Sequence, residues 1–273
     1  MKIAIVYDKK QPYTTGVYCK RALEEMGHDV VHYDNKKRVL GKYDLVLKID
    51  DGTSGPFKVM PWHRTAFWAI DTHTVMDRLC KIAKRADLLF CAQKNGVRLF
   101  RERGLDARWL PLAGAIEVKG GEEGRRLDIA FVGGLGTEKR RRQEKLLRGL
   151  TDKIYFGPAK REEISPIYSN AFIGFNTLVD NDINMRTFEI TVNGALLLME
   201  KVHDNGMEEL FIENEEYIAY EDENDLTDKV KTILGNKGRY EPVRAAGHKR
   251  ALEGHTYGSR MKVLLGSVFE RDV

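Results

Sequence analysis

The stretch that decides the fold is NMRTFEITVNGALLLM, residues 184–199. It predicts a short helix that ends at a glycine and leads directly into an apolar strand. Asn184 is suited to cap the start of this helix, and Gly194 suits the left-handed position just after its end. The run 195–199 has the continuous apolar character of a buried parallel strand. Open α/β sheets bind ligands at such strand ends, and a carboxylate such as Glu189 can accept hydrogen bonds from sugar hydroxyls. The stretch therefore predicts a nucleotide-sugar site.

The composition is that of a globular protein and excludes several classes. The 273 residues are 42% hydrophobic and 32% charged, with a net charge of +4. This balance suits an anionic substrate but is too weak to indicate nucleic acid by itself. Three scattered cysteines, Cys19, Cys80 and Cys91, indicate a reducing cytoplasm rather than a disulfide scaffold. No window approaches the roughly 20 apolar residues of a membrane span, so any membrane contact is expected to be peripheral.

Strands and helices alternate in both halves of the chain, which predicts parallel βαβ units. The predicted strands are 3–7, 29–33, 45–49, 65–70, 88–92, 108–110, 128–132, 153–156, 171–175, 195–199 and 217–220. The main predicted helices are 17–26, 77–86, 96–103, 138–150, 225–234, 240–252 and 257–269. Residues 117–126 are rich in Gly, Glu, Lys and Arg and have no core pattern, which indicates a linker. We therefore predict an α/β protein with two Rossmann-like domains that face each other across a cleft.

Residues 186–198, RTFEITVNGALLL, resemble the R-x-F-E-x-x-x-x-G-x-x-L-L signature of glycosyltransferases with the GT-B fold, in particular the group related to spore-maturation protein CgeB. Residues 86–94, 109–113, 208–211 and 255–260 are also similar to that group. The resemblance covers about two thirds of the chain and is strongest from Asp128 onward. It implies metal-independent transfer of a sugar, of the hexosyltransferase type, from a nucleotide diphosphate. The nucleotide sugar is then a co-substrate, and no further cofactor is expected.

The resemblance also gives each predicted domain a role. Residues 1–116 form the N-terminal acceptor domain, and 117–126 form the linker. Residues 127–255 form the nucleotide-sugar domain. The closing helix, 256–273, is expected to pack back on the first domain.

The predicted donor site centres on the helix that contains Glu189. By resemblance, this carboxylate accepts hydrogen bonds from ribose hydroxyls; the alternative is a surface glutamate favoured by the helix dipole. Arg186 lies on the same face and could stabilise the diphosphate as the leaving group gains charge, or be a surface arginine. Thr187 and Phe188 lie between them and are assigned to the same donor site.

A glycine turn, residues 133–136, follows a predicted strand and precedes a basic helix. Gly133 and Gly134 would let the backbone approach a phosphate closely, although a tight turn without a ligand has the same pattern. At most one cation of the run 139–142 is expected to bind the diphosphate, and Arg140 is the candidate. The turn is not a complete G-x-G-x-x-G, which disfavours an NAD-dependent oxidoreductase.

The candidate catalytic residues are Asp71 and His73, which follow the predicted strand 65–70. His73 could accept the proton of the acceptor hydroxyl or bind the donor, and Asp71 could orient it or be the base. Asp71 could instead only cap the next helix.

A second candidate loop, formed by Thr14, Thr15 and Gly16, could bind the donor phosphate or shape the acceptor site; the alternative is an ordinary strand–helix turn. No metal site is expected, because the aspartates of 50–51 and 180–182 suit turns.

Three points stay open in the sequence. Retaining members of related GT-B families have two glutamates eight residues apart, but Asn181 occupies the first position here. The missing glutamate keeps a non-catalytic nucleotide-binding module open as an alternative. A second alternative is a nucleotide-sugar epimerase, which would share the donor site but need no acceptor. The acceptor could be a glycan, a lipid-linked sugar, a protein or nucleic acid, and the oligomeric state is not indicated.

Overall fold

The structure is a computed structural model that describes residues 1–8, 15–52, 55, 57–115 and 126–269. The chain forms two compact units. Unit 1 comprises Met1–Leu112 together with Tyr257–Val273, and unit 2 comprises Ala113–Thr256. Apart from Arg126, the predicted linker lies outside the described residues.

Each unit contains one sheet in which all of the strands are parallel. The described strands are β1 (Lys2–Val6), β2 (Asp29–Tyr33), β3 (Leu45–Ile49), β4 (Thr65–Ala69), β5 (Leu88–Cys91), β6 (Ala107–Trp109), β7 (Leu127–Val132), β8 (Ile154–Gly157), β9 (Ala171–Asn176), β10 (Leu196–Glu200) and β11 (Ile218–Tyr220). Unit 1 has the strand order β2-β1-β3-β4-β5-β6, and unit 2 has the order β11-β10-β9-β7-β8. The predicted α/β class with two Rossmann-like sheets is confirmed.

Helices connect most of the successive strands, which is the usual connection between parallel strands. The described helices are α1 (Thr15–Glu25), α2 (Thr72–Ala83), α3 (Lys94–Arg101), α4 (Glu138–Arg148), α5 (Arg161–Ser169), α6 (Met185–Val192), α7 (Met207–Leu210), α8 (Glu223–Gly235), α9 (Lys237–Gly254) and α10 (Tyr257–Phe269). Within the described ranges, no helix is both long enough and apolar enough to cross a bilayer.

The last helix, α10, belongs to unit 1 and packs against α1. The rings of Tyr18 and Tyr257 stack with their centroids 5.1 Å apart. Arg260 is buried, and its Nε donates to the carbonyl oxygens of Pro111 (2.8 Å) and Leu112 (3.1 Å). Because a buried guanidinium is costly without acceptors, these bonds fix the place where α10 joins unit 1.

The decisive stretch of sequence folds as predicted within unit 2. Helix α6 ends at Val192, Asn193 is its C-terminal cap, and Gly194 follows in the left-handed conformation with φ +76°. The backbone N–H of Ala195 then donates to the carbonyl of Ile190 at 3.2 Å, which closes the helix end and starts β10.

The two ends of unit 2 lie side by side. The backbone N–H of Gly114 donates to the carbonyl of His255 at 3.0 Å, and Gly114 forms a parallel bridge with Thr256. A side chain at Gly114 would meet the Phe188 carbonyl of α6 at 2.5 Å, so only glycine fits there.

Two elements differ from the sequence predictions. Helix α5 was not predicted because Pro166 lies inside it, and proline normally ends a helix. Helix α2 begins at Thr72, five residues before the predicted start, with non-helical backbone angles at Val75 (φ −140°, ψ 34°). Threonines and a β-branched valine have low helix propensity, so the pattern missed this first turn.

Candidate functional site

Arg186 is held at the carboxyl end of the unit 2 sheet. Its Nε donates to the Val132 carbonyl at the end of β7 (2.7 Å), and a terminal nitrogen donates to Asn176 Oδ1 at the end of β9 (2.9 Å). The guanidinium also lies 4.5 Å from the centroid of the Phe131 ring. These contacts orient a cation at the edge where parallel sheets bind ligands.

Glu189 lies one helical turn after Arg186 and is buried, with 7% of its surface exposed. The interpretation of Glu189 as a surface glutamate is therefore wrong. Burial raises the pKa of its carboxyl to about 7, and the charge of Arg186 partly opposes this rise. A carboxyl with this pKa is roughly half ionised at neutral pH and can accept hydrogen bonds from hydroxyls once it has lost its proton.

Tyr168 of α5 joins this pair from the other side. Its hydroxyl oxygen accepts a hydrogen bond from the Val132 backbone N–H at 3.1 Å, and it also interacts with Arg186. Burial and the charge of Glu189 raise the pKa of the Tyr168 phenol, so the group stays neutral. Arg186, Glu189 and Tyr168 thus form one cluster built from two helices of unit 2, α5 and α6.

The glycine turn lies against Arg186. A side chain at Gly133 would come within 2.5 Å of a terminal nitrogen of Arg186 and 3.1 Å of the Phe131 ring, so glycine allows the guanidinium to lie over the strand end. Gly134 has open space around its missing side chain. Thr137 caps α4, because its hydroxyl oxygen accepts from the Arg140 backbone N–H at 3.2 Å.

Arg140 adds a second cation to the same strand end. It donates to the Gly134 carbonyl at 3.0 Å and lies 5.7 Å from the centroid of the Phe131 ring. Burial lowers the pKa of Arg140, and the nearby charge of Arg186 lowers it further. The structure therefore brings Arg140, Arg186, Gly133 and Glu189 together, and the two guanidiniums make this end of the sheet positive.

Thr187 and Phe188 do not present side chains to a ligand, which corrects their assignment to the donor site. Both are fully buried. Thr187 Oγ1 accepts from Asn176 Nδ2 at 3.0 Å, and Phe188 packs against His255 and Phe211. Both residues therefore hold α6 in place.

Unit 1 has its own polar cluster at the carboxyl ends of β3 and β4. Asp50 is 2% exposed, and its Oδ2 accepts from the backbone N–H groups of Ile70 (3.2 Å) and Asp71 (3.1 Å). Asp50 Oδ1 accepts from the Gly52 N–H and pairs with Arg78. Asp50 thus shapes the loop that presents Asp71 and His73.

Within this loop, Asp71 precedes α2 but makes no side-chain capping bond, contrary to the capping alternative. The Nδ1 atom of His73 is buried and has no hydrogen-bond partner among the described residues. A ring nitrogen without a partner is available to a ligand that reaches it.

Lys48 is the residue of this cluster that sequence reasoning missed. It is 1% exposed, and its ammonium donates to Asn35 Oδ1 at 2.9 Å. Burial lowers its pKa to about 8, whereas the charges of Asp51 and Asp50 oppose the shift. The available signal was a lysine inside the otherwise apolar strand LVLKI.

The structure describes two of the three residues of the second candidate loop, Thr15 and Gly16. Thr14 lies outside the described residues, and Thr15 and Gly16 are buried in the first turn of α1. A side chain at Gly16 would overlap the Tyr7 ring at 2.3 Å, and Thr15 Oγ1 accepts a long hydrogen bond from Tyr257. Both residues serve packing in unit 1.

Residues 125–266, just over half of the chain, match the family model described as glycosyl transferase-like. The chain belongs to the glycosyl transferase-like family. The matched residues include Arg140, Tyr168, Arg186 and Glu189 of this glycosyl transferase-like chain.

Solved structures similar to this glycosyl transferase-like chain share its architecture along the whole length. HepE of Anabaena, in complex with UDP and glucose, has a TM-score of 0.70 at 10% identity and covers 99% of this chain and 100% of its own. An α-glucosyltransferase in complex with UDP-glucose and DNA containing an abasic site has a TM-score of 0.68 at 11% identity, covering 98% and 99%. Sucrose-phosphate synthase from Thermosynechococcus elongatus has a TM-score of 0.67 at 13% identity, covering 100% of both chains. No curated protein sequence matches the chain. At these identities the likeness establishes the GT-B fold.

The glycosyl transferase-like chain uses Asn181 to join two loops. Asn181 has φ +60°, a conformation that asparagine tolerates. Its side-chain amide donates to the His203 carbonyl (2.6 Å) and accepts from the His203 N–H (2.9 Å). Asn181 thus joins the loop after β9 to the loop after β10. A glutamate carboxylate at this position, as in the related families, could not donate a hydrogen bond to the His203 carbonyl. No group of three or more possible metal ligands occurs among the described residues.

Exchange of Gly133 for alanine tests the geometry of the cluster. Because the added Cβ would displace the Arg186 guanidinium, we expect the activity toward a nucleotide-sugar donor to fall about 10- to 100-fold. Gly238→Ala in α9, where an added side chain also meets open space, is the matched control and should change activity less than about twofold. Equal effects of the two exchanges on donor kinetics would contradict this account of the glycosyl transferase-like site.

Proposed function

We propose that this chain is a hexosyltransferase that moves a sugar from a nucleoside diphosphate to an acceptor hydroxyl, without a metal, and belongs to the CgeB-like branch. The observation that carries the proposal is the Arg186–Glu189–Arg140 cluster at the strand ends of unit 2, within a glycosyl transferase-like segment. The UDP and UDP-glucose that are named with similar structures favour a uridine nucleotide as donor.

Each donor group has a partner in this proposal. The Glu189 carboxylate accepts the hydrogen bonds of the two ribose hydroxyls. Arg186 and Arg140 bind the diphosphate, and the backbone of the Gly133–Gly134 turn allows it to approach closely. The bond between the sugar and the diphosphate breaks with the electron pair on the phosphate oxygen, so the two cations stabilise the charge that develops there.

Unit 1 supplies the groups for the acceptor in this proposal. Asp71 or His73 accepts the proton of the hydroxyl that attacks the anomeric carbon. Asp50 is a positioning residue, because it binds the backbone of the loop and is itself buried. Lys48 keeps that cluster close to neutral.

Thermal unfolding with a panel of nucleoside diphosphates and nucleotide sugars, with and without magnesium, tests the donor assignment. A ligand at 100 times its Kd should stabilise the folded protein by about 2.7 kcal/mol. We expect stabilisation by one nucleotide class, independent of magnesium, and loss of the effect in Glu189→Ala. No stabilisation by any nucleotide would overturn the donor site.

Release of nucleoside diphosphate, measured with and without candidate acceptors, then tests transfer. We expect release that depends on an acceptor. Conversion of the donor alone to an isomeric nucleotide sugar would indicate an epimerase, and binding without turnover over a broad acceptor panel would indicate a binding module.

A further inference from the structure

Two loops of unit 1 form one continuous surface, here called the basic loop surface, made of residues 34–44 and 57–64. The backbone N–H of Val39 donates to the Lys58 carbonyl at 2.8 Å, and the Lys58 ammonium donates to the Lys36 carbonyl at 3.2 Å. His63 accepts from the Met60 N–H through Nδ1 and donates through Nε2 to the Gly41 carbonyl at 2.8 Å. The surface is therefore fixed before any partner binds.

Positive charge is concentrated in this part of the chain. Unit 1 contains 24 Lys and Arg against 15 Asp and Glu, a net charge of +9, whereas unit 2 contains 21 against 26, a net charge of −5. The basic loop surface alone has six cations against two aspartates. Its cations are Lys36, Lys37, Arg38, Lys42, Lys58 and Arg64, and its acids are Asp34 and Asp44. Such an asymmetry indicates a polyanionic partner on unit 1.

Two large apolar side chains stand out of the same surface. Trp62 is 64% exposed and Leu40 is 62% exposed, the highest values for large hydrophobic residues in the described part of the chain. The hydrogen bond between His63 and Gly41, their sequence neighbours, joins the two loop segments that carry them. An exposed pair of this kind, surrounded by cations, marks an interaction site rather than ordinary surface.

We propose that the basic loop surface binds an anionic lipid bilayer peripherally. Lysine and arginine are attracted to the negative surface of such a bilayer, and tryptophan and leucine insert at its interface. Duplex nucleic acid would use the cations alone and would leave Leu40 and Trp62 without a role. The observations therefore favour a membrane surface, and this holds whether or not the protein transfers a sugar.

Co-sedimentation of the whole protein with vesicles tests the surface. The vesicles are phosphatidylcholine alone or phosphatidylcholine with 30% phosphatidylglycerol. We expect binding to the anionic vesicles only, weakened strongly by 1 M salt, where the Debye length is about 3 Å. Because each cation near the membrane contributes about fivefold in affinity, Lys36→Ala with Lys37→Ala should weaken binding about 25-fold.

The matched control removes two exposed lysines of unit 2, Lys231→Ala with Lys249→Ala, and should bind as the unchanged protein does. Leu40→Ser should also weaken binding. Tryptophan emission should shift to the blue on binding, and Trp62→Phe should abolish the shift, since Trp68 is buried and Trp109 is half-buried. Circular dichroism of each variant is the check that it is folded.

Three results would overturn the proposal. Equal binding to neutral and anionic vesicles would exclude the electrostatic basis. Unchanged vesicle binding after Lys36 and Lys37 are replaced would show that the basic loop surface is not the part of the protein that contacts the membrane. Tighter binding to a duplex DNA oligonucleotide than to the vesicles, with no effect of Leu40→Ser, would assign the surface to nucleic acid.

Discussion

Arg186→Ala is expected to lower kcat by about 10²–10³-fold, the loss typical when one preorganised charge-stabilising donor is removed. The guanidinium is fixed by the Val132 carbonyl, Asn176 and the Phe131 ring before the donor binds. No reorganisation is then needed as charge develops on the leaving diphosphate. The measurement is the rate of nucleoside diphosphate release with saturating donor and acceptor.

Two further variants separate catalysis from folding. Arg148→Ala removes an exposed arginine that pairs only with Glu144 among its described ion pairs, and it should leave kcat within about twofold. Arg186→Lys keeps the charge but cannot make the same fork of hydrogen bonds, so it should recover only part of the rate. If the Arg186→Ala variant is folded and keeps full activity, Arg186 has no role in the transfer step.

The second large effect is a dependence of stability on pH that comes from Glu189. Its pKa is 4.5 in the unfolded chain and about 7 in the folded protein, because burial disfavours the carboxylate. Between these values the folded state binds more protons than the unfolded state. The free energy of unfolding therefore falls as pH rises from about 4.5 to about 7, by about 3 kcal/mol in total.

Glu189→Gln isolates this contribution, since glutamine has a similar shape and does not ionise. Urea unfolding should show similar stability of the two proteins near pH 4.5 and a more stable Gln variant at pH 8, by up to about 3 kcal/mol. Donor binding should respond in the opposite direction. The unchanged protein should bind the nucleotide more tightly as pH rises through 7, and Glu189→Gln should bind weakly at every pH. A stability difference that is constant from pH 4.5 to 8 would disprove the raised pKa.

The sequence predicted the positions of α6 and β10 closely because the signals for these two elements are local. Asn184, Gly194 and the apolar run after it fix the bounds of α6 and β10, and these bounds place Arg186 at the strand ends. The burial of Glu189 could not be predicted in this way. Tyr168, which interacts electrostatically with Glu189, lies on helix α5, and this helix was not predicted because it contains Pro166.

In unit 1 the sequence placed Asp71 and His73 after a strand, but it did not indicate the group that shapes their loop. Asp71 and His73 follow β4 as predicted. The role of Asp50 depends on backbone N–H groups twenty residues away along the chain, and no spacing pattern encodes such a contact. Lys48 did leave a signal, since a charge within a buried strand needs partners.

The bridge between Gly114 and Thr256 makes unit 2 a closed insertion within unit 1. A segment whose two ends meet can be transplanted, circularly permuted or produced alone without stretching its backbone. Residues 113–256 are therefore a single module that can be exchanged between proteins of this architecture as one piece.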